Sequence, residues 1–251
     1  MNITVLDFET YFDSSHTLKK QTIPEYVADP RFHVHGLAIR LPDGVATFRT
    51  DVEESLEELK QDFGEQLERT TVVCHHAHFD GYILNYIYGI RPRHFIDTLL
   101  LANHVHGPRL ISGQAASLRV LAQRYGLGGK GGLDFMRGVR RPDARQLAEL
   151  TRYAKQDANL TAQLVSRLLP EITRPEVEIP IAMHTIRLFT ERCIHIDVPG
   201  IGILEPLVRE EVEQNLGQAG VTREEVAKNK KFGDLFVSAL ARYGRQIPRQ
   251  R

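Results

Sequence analysis

The sequence predicts an α/β fold: a mixed five-stranded sheet flanked by helices, followed by a helical extension. Three observations carry this prediction. Short β-branched runs stand at residues 2–6 and 71–74, each ending in a cluster of polar residues. Two further extended runs bracket a turn at residues 41–44. Long stretches with apolar residues at helical spacing lie between and after them.

Taken in order, residues 2–6 (NITVL) read as a first strand. A polar loop at 13–20 leads to IPEYVADP, and residues 32–40 read as a second strand. Leu41-Pro42-Asp43-Gly44 is a turn by composition, so residues 45–49 return as a third strand in an antiparallel hairpin beside the first. Residues 51–69 predict an acidic amphipathic helix with Leu56, Leu59, Phe63 and Leu67 on its apolar face. Residues 71–74 (TVVC) are a buried strand, and the GYILNYIY run starting at Gly81 is helical, with Ile83, Leu84, Ile87 and Tyr88 on one side. Residues 95–97 give a short strand, and residues 98–104 and 117–125 give helices. Residues 126–132 (GLGGKGG) lack the order of a phosphate-binding P-loop and read as a flexible loop. Residues 145–169 are strongly helical. Prolines punctuate residues 170–180; beyond them, 181–192 read as helix, CIHIDVP as extended and 201–216 as helix. These signals divide the chain into a domain at 1–174 and an extension at 175–251.

With 251 residues and 42% hydrophobic content, the chain can bury one sizeable core. Lys+Arg and Asp+Glu balance at 32 each, so no global positive field favours tight non-specific binding to duplex nucleic acid. The two cysteines have no metal-like or disulfide-framework spacing, which fits a reducing compartment. The chain opens on a strand rather than a signal peptide, and no apolar run reaches the roughly 18 residues of a membrane span. The expectation is a soluble, cytoplasmic protein with no membrane partner.

The chemistry concentrates in a few carboxylates. Strand side chains alternate, so Asp7 and Glu9 point the same way at the end of the first strand. Two like charges held together are unfavourable alone and favourable around a cation. Asp80 falls where a strand turns into a helix, a position that also suits a helix cap. Tyr153 and Asp157 are four apart, on one helix face.

In this order, LDFETYF, TIPEYVADPRFHVHGLAI, HAHFDGYIL, IDTLLLA, SLRVLAQRYGLGGKG and YAKQDANLT resemble the 3′→5′ exonucleases of the DEDD superfamily, tyrosine branch. They resemble in particular the proofreading domain of phage-type family A DNA polymerases, over about residues 1–175. The resemblance implies an RNase H-like fold. It also implies hydrolysis at single-stranded DNA 3′ ends by two Mg²⁺ or Mn²⁺ ions about 4 Å apart. On that reading, Asp7 bridges the ions, Glu9 and Asp157 complete the site that activates water, Asp80 supports the second ion, and Tyr153 orients the water. Thr10, His76 and Phe79 are placed near the terminal nucleotide, and Lys130 near phosphate. His76 departs from the family, which usually carries Asn there. VTREEVAKNKKFGDLFVSALARYGRQIP resembles the start of a polymerase thumb, which implies either an excised fragment or a stand-alone exonuclease that keeps a vestigial thumb, with a polymerase module or other replication proteins as partners. Three alternatives stay open. RNase D-like enzymes share the tyrosine motif and act on RNA. His76-x-His78-x-Asp80 is reminiscent of zinc hydrolases. A non-catalytic domain would only grip DNA.

Overall fold

The computed structural model describes residues 2–107, 117–191 and 196–245. They divide into two compact units, residues 1–193 and 194–251.

The first unit is built on a sheet of strand order β3-β2-β1-β4-β5, comprising β1 (Ile3–Thr10), β2 (Val34–Arg40), β3 (Ala46–Arg49), β4 (Thr71–Cys74) and β5 (His94–Asp97). β2 runs antiparallel to both β1 and β3, whereas β4 is parallel to β1 and β5 to β4, so the sheet is mixed. The parallel pairing of β1 with β4 covers only Ile3 to Val5. Beyond Val5 the strand continues through Asp7, Phe8 and Glu9 against β2 alone. The first strand is therefore longer than the β-branched run suggested, because β2 carries it past the acids.

Alternation along β1 sorts its side chains between two packed layers. Val5 joins Ala38, Val73 and Ile96 under α4 (Thr98–His106), α5 (Leu118–Arg124) and α6 (Ala144–Leu168). Leu6 and Phe8 join Leu37, Ile39 and Val72 on the opposite face, covered by α2 (Val52–Phe63), α3 (Ala77–Tyr86) and α7 (Pro175–Thr190). Helices thus cover both faces of the sheet, as parallel strands require. A short helix α1 (Ile23–Ala28), started by a Thr22–Glu25 capping box, packs near α3.

Several elements differ from expectation. α2 stops at Phe63 because Gly64 leaves the helix at a φ of 95°. Leu67 is buried, but in the following loop rather than on the helix. α3 begins at Ala77, four residues before the predicted start, so Asp80 lies inside its first turns and is not its cap. The Asp97 carboxylate does the capping instead, accepting from the His76 and Ala77 amides at 3.0 Å each. α7 starts at Pro175, where a missing N–H costs nothing, and runs through Pro180. It packs on α3 and β5, so residues 175–190 belong with the first unit rather than opening the extension. The last residue of the predicted 181–192 helix and residues 193–195 of the predicted extended segment lie outside the described residues. The second unit holds α8 (Val198–Ala219), α9 (Arg223–Ala227) and α10 (Asn229–Arg242), and α9 packs on α10. No helix among the described residues is long and apolar enough to cross a membrane.

Gly36 lies opposite Glu9 in the β1–β2 register. A Cβ there would lie 2.6 Å from the Arg49 carbonyl oxygen and overlap the Phe48 ring. Because the clash involves backbone, Gly36→Ala is expected to destabilise the protein by about 1–3 kcal/mol, read as a lower urea midpoint at an unchanged m value.

Candidate active site

Asp7 and Glu9 share the β1 face that looks toward α6, and α6 brings Asp157 to them. One carboxylate oxygen from each of the three lies within 4.8 Å of the others. Glu9 and Asp157 are buried and Asp7 is half-buried. Asp7 Oδ2 and Asp157 Oδ1 are buried with no hydrogen-bond partner. Orphaned anionic oxygens are costly unless a cation takes them up. Hard divalent ions prefer such carboxylate oxygens, so the donor set fits Mg²⁺ or Mn²⁺.

Asp80 closes the site from α3. Its Oδ1 accepts the Phe8 amide at 2.9 Å, meeting a β1 donor where β4 no longer runs alongside. The sheet's unequal strand lengths and the α3 acid are therefore one construction. Burial pushes every carboxyl of the cluster upward, and repulsion between neighbours adds to it for Asp7, Glu9 and Asp80. Asp7 rises to about 7, chiefly by burial and then by Asp157. Glu9 is held well above the usual range by burial and then by Asp7. Asp80 is held high by burial and then by Asp7. Asp157 is raised by burial against the opposing pull of Lys130.

Tyr153 lies one helical turn before Asp157 and is half-buried. Burial first, then the charge of Asp157, raises its phenol far above the ordinary value, so it keeps its proton. Lys130 makes an ion pair with Asp157 Oδ2, and its ammonium stands 5.2 Å from the centre of the Tyr153 ring.

A pocket of about 290 Å³ adjoins Glu9, with Phe12, Tyr26, Phe79 and Leu133 among its walls. Thr10 also lines it. The Tyr26 hydroxyl donates to the Tyr11 carbonyl. The Thr10 hydroxyl, 2.8 Å away, therefore donates to Tyr26. Phe79 meets Tyr26 edge-on at 5.8 Å between centroids, so it is both packed and exposed to the pocket.

The structure thus brings together Asp7, Glu9, Asp157, Tyr153 and Lys130, sets Asp80 on the adjoining backbone, and places Thr10 and Phe79 in the neighbouring pocket. His76 departs from this arrangement. It is the left-handed residue before α3, at a φ of 75°, and its ring faces His78 at 6.3 Å. Among the described residues, neither His76 nor His78 joins a metal-ligating cluster, which removes the support for a zinc site. Between the Lys130 loop and α6, Arg137 pairs with Asp134 at 2.7 Å and Arg140 donates to the Arg31 carbonyl. Sequence reasoning missed Tyr26, Phe12 and Leu133. Only TIPEYVADP hinted at Tyr26, because its capping box fixes a short helix around that ring.

The chain belongs to the 3′-5′ exonuclease family of the family A DNA polymerase type, within the DEDD superfamily; the family match spans residues 35–173. That span includes Asp80, Tyr153 and Asp157, while Asp7 and Glu9 precede it. No curated protein sequence matches the chain. Among solved structures it is similar to RNase D from Trypanosoma brucei, at 10% identity and a TM-score of 0.54, over 75% of this chain and 64% of that one. It is similar to NrnC from Brucella melitensis with bound Mg²⁺, at 16% identity and a TM-score of 0.51, over 78% and 90%. It is also similar to a mutant catalytic core of RRP6 from Trypanosoma brucei, at 16% identity and a TM-score of 0.52, over 78% and 49%. The chain therefore spans about half the length of the RRP6 core. These likenesses establish the RNase H-like fold of DEDD exonucleases, a family that uses divalent metal ions.

Proposed function

We propose that the chain removes nucleoside monophosphates from the 3′ ends of single-stranded or frayed DNA. The observation that carries this reading is the cluster of Asp7, Glu9 and Asp157 with two orphaned buried oxygens. Asp7, Glu9 and Asp157, with Asp80 beside them, would hold two Mg²⁺ or Mn²⁺ ions. Such ions, when bound, make a nucleophile from water at neutral pH and neutralise charge on the phosphate.

The chain's own groups do the rest. Asp7, Glu9 and Asp157 would hold the ions whose bound water attacks the phosphate, and Asp80, fixed by the Phe8 amide, would support them from the α3 side. Tyr153 keeps its proton, so it is a hydrogen-bond donor that orients the water and not a base. Lys130 offers a cation to the phosphate. Phe79 and the pocket around it receive the terminal base or sugar, where an aromatic contact contributes about 1–3 kcal/mol whatever the base. His76 has no assigned contact to the nucleotide. Tyr153→Phe should lower turnover about 10–100-fold while leaving metal binding intact, as single-turnover rates at saturating Mn²⁺ would test.

The family match and the apolar pocket beside Glu9 support DNA. The mostly carbon lining offers few partners for a 2′-hydroxyl, and the Thr10 hydroxyl is engaged by Tyr26. RNA is the second reading, favoured by the RNase D likeness. The resemblance of residues 221–248 to the opening of a thumb supports action with a polymerase module in proofreading. Matched 5′-labelled DNA and RNA strands, digested side by side, test the substrate. Faster shortening of DNA, and of frayed over fully paired ends, is expected; degradation of RNA alone would contradict the DNA reading.

A further inference from the structure

The glycine-rich loop at residues 126–132 carries Lys130 beside the acid cluster. Of residues 128–132, all glycine but one, Gly128, Gly129, Gly131 and Gly132 are exposed and only Lys130 is half-buried. Its side chain reaches inward to the Asp157 carboxylate. A Cβ added at Gly126, Gly128 or Gly129 would meet nothing within 4 Å, so little packs against this backbone. Gly126 and Gly128 have φ values of 64° and 104°, a region open to glycine and strained for most other residues. Outside the loop, two side chains grip its backbone: the Gln156 amide donates to the Gly129 carbonyl, and Arg119 donates to the Gly131 carbonyl at 2.9 Å. Both bonds are exposed and easily exchanged with water.

We propose that Lys130 and a divalent ion compete for Asp157, and that the glycine loop is the hinge on which Lys130 yields. The inference rests on the metal-nuclease reading and adds a gate to it. An ammonium in contact with Asp157 lies within a few ångströms of any cation held by Asp7, Glu9 and Asp157. Like charges that close repel strongly in a partly buried site. The ammonium satisfies one Asp157 oxygen, whereas the partnerless Oδ1 awaits another cation. A released Lys130 stays tethered one loop away, within reach of an incoming phosphate. The exchange needs no bond to form or break in the protein beyond the two loop hydrogen bonds and the ion pair.

The test measures Mn²⁺ binding by calorimetry in the wild type, in Lys130→Met and in Asp7→Asn, with no substrate present. Removing the competing charge should tighten Mn²⁺ binding about tenfold in Lys130→Met. Unchanged or weaker binding in that variant would overturn the inference and make Lys130 a fixed support for Asp157. In the wild type, Lys130 should react more readily with an amine-acetylating reagent when Ca²⁺ is added, as read by peptide mass spectrometry. Equal labelling with and without Ca²⁺ would also overturn it, independently of how the variant folds. Failure of the broader reading looks different: the wild type and Asp7→Asn would then bind Mn²⁺ equally poorly.

Discussion

Asp7→Ala is expected to abolish nearly all exonuclease turnover, by about 10³-fold or more, while the protein stays folded. Asp7 interacts with every other acid of the cluster: its charge raises the pKa of Glu9 and Asp80, and Asp157 raises its own. Removing it takes away an oxygen that no other residue replaces, because Asp7 Oδ2 is buried without a protein partner. The fold should tolerate the loss. Its buried Oδ2 has no hydrogen-bond partner to lose, and its ionised form is opposed by burial and by Asp157. Thermal unfolding above neutral pH should therefore be unchanged or rise in Asp7→Ala. Loss of activity together with loss of folding would mean that Asp7 is structural.

The second large effect is a dependence of stability on pH that divalent ions reverse. A carboxyl with a raised folded pKa binds more protons folded than unfolded. Its contribution is thus fully present at low pH and is lost as pH rises through the window between its unfolded and folded values. For Asp7 that window runs from its ordinary value of 3.8 up to about 7. Glu9, Asp80 and Asp157 shift in the same direction, each with burial as the largest cause. The opposite contributions from Asp13 and Asp29, held low by hydrogen bonds from His16 and Arg31, change only at more acidic pH. His33, His35 and His76, each held below the ordinary 6.5 first by burial, add stability as pH rises toward that value and offset part of the fall. Without divalent ions, the melting temperature should fall by about 5 °C or more between pH 5 and pH 8. Mg²⁺ binds the deprotonated acids, so it should stabilise strongly at pH 8 and little at pH 5. Differential scanning fluorimetry across both variables checks this. A stabilisation by Mg²⁺ that is equal at both pH values would place the ion elsewhere.

Much of this was legible in the chain itself. Period-two alternation put Asp7 and Glu9 on one face, and four-residue spacing put Tyr153 beside Asp157, so local rules located most of the acids. What joins them depends on register. Pairing of β1 with β4 ends at Val5, which frees the Phe8 amide for Asp80, and no local pattern announces where a parallel ladder stops. The start of α3 was misplaced because His76 adopts a left-handed conformation and the cap comes from Asp97, more than 20 residues away in sequence. Composition likewise marked residues 126–132 as a loop. The inward reach of Lys130 is a tertiary event, fixed by where α6 places Asp157.

The most direct test of the central claim is digestion of a 5′-labelled single-stranded DNA with Mg²⁺, with Mn²⁺ and with chelator. The account predicts a ladder that shortens one nucleotide at a time from the 3′ end with either ion and stops with chelator. A folded protein that binds the strand yet leaves it intact with both ions would contradict it.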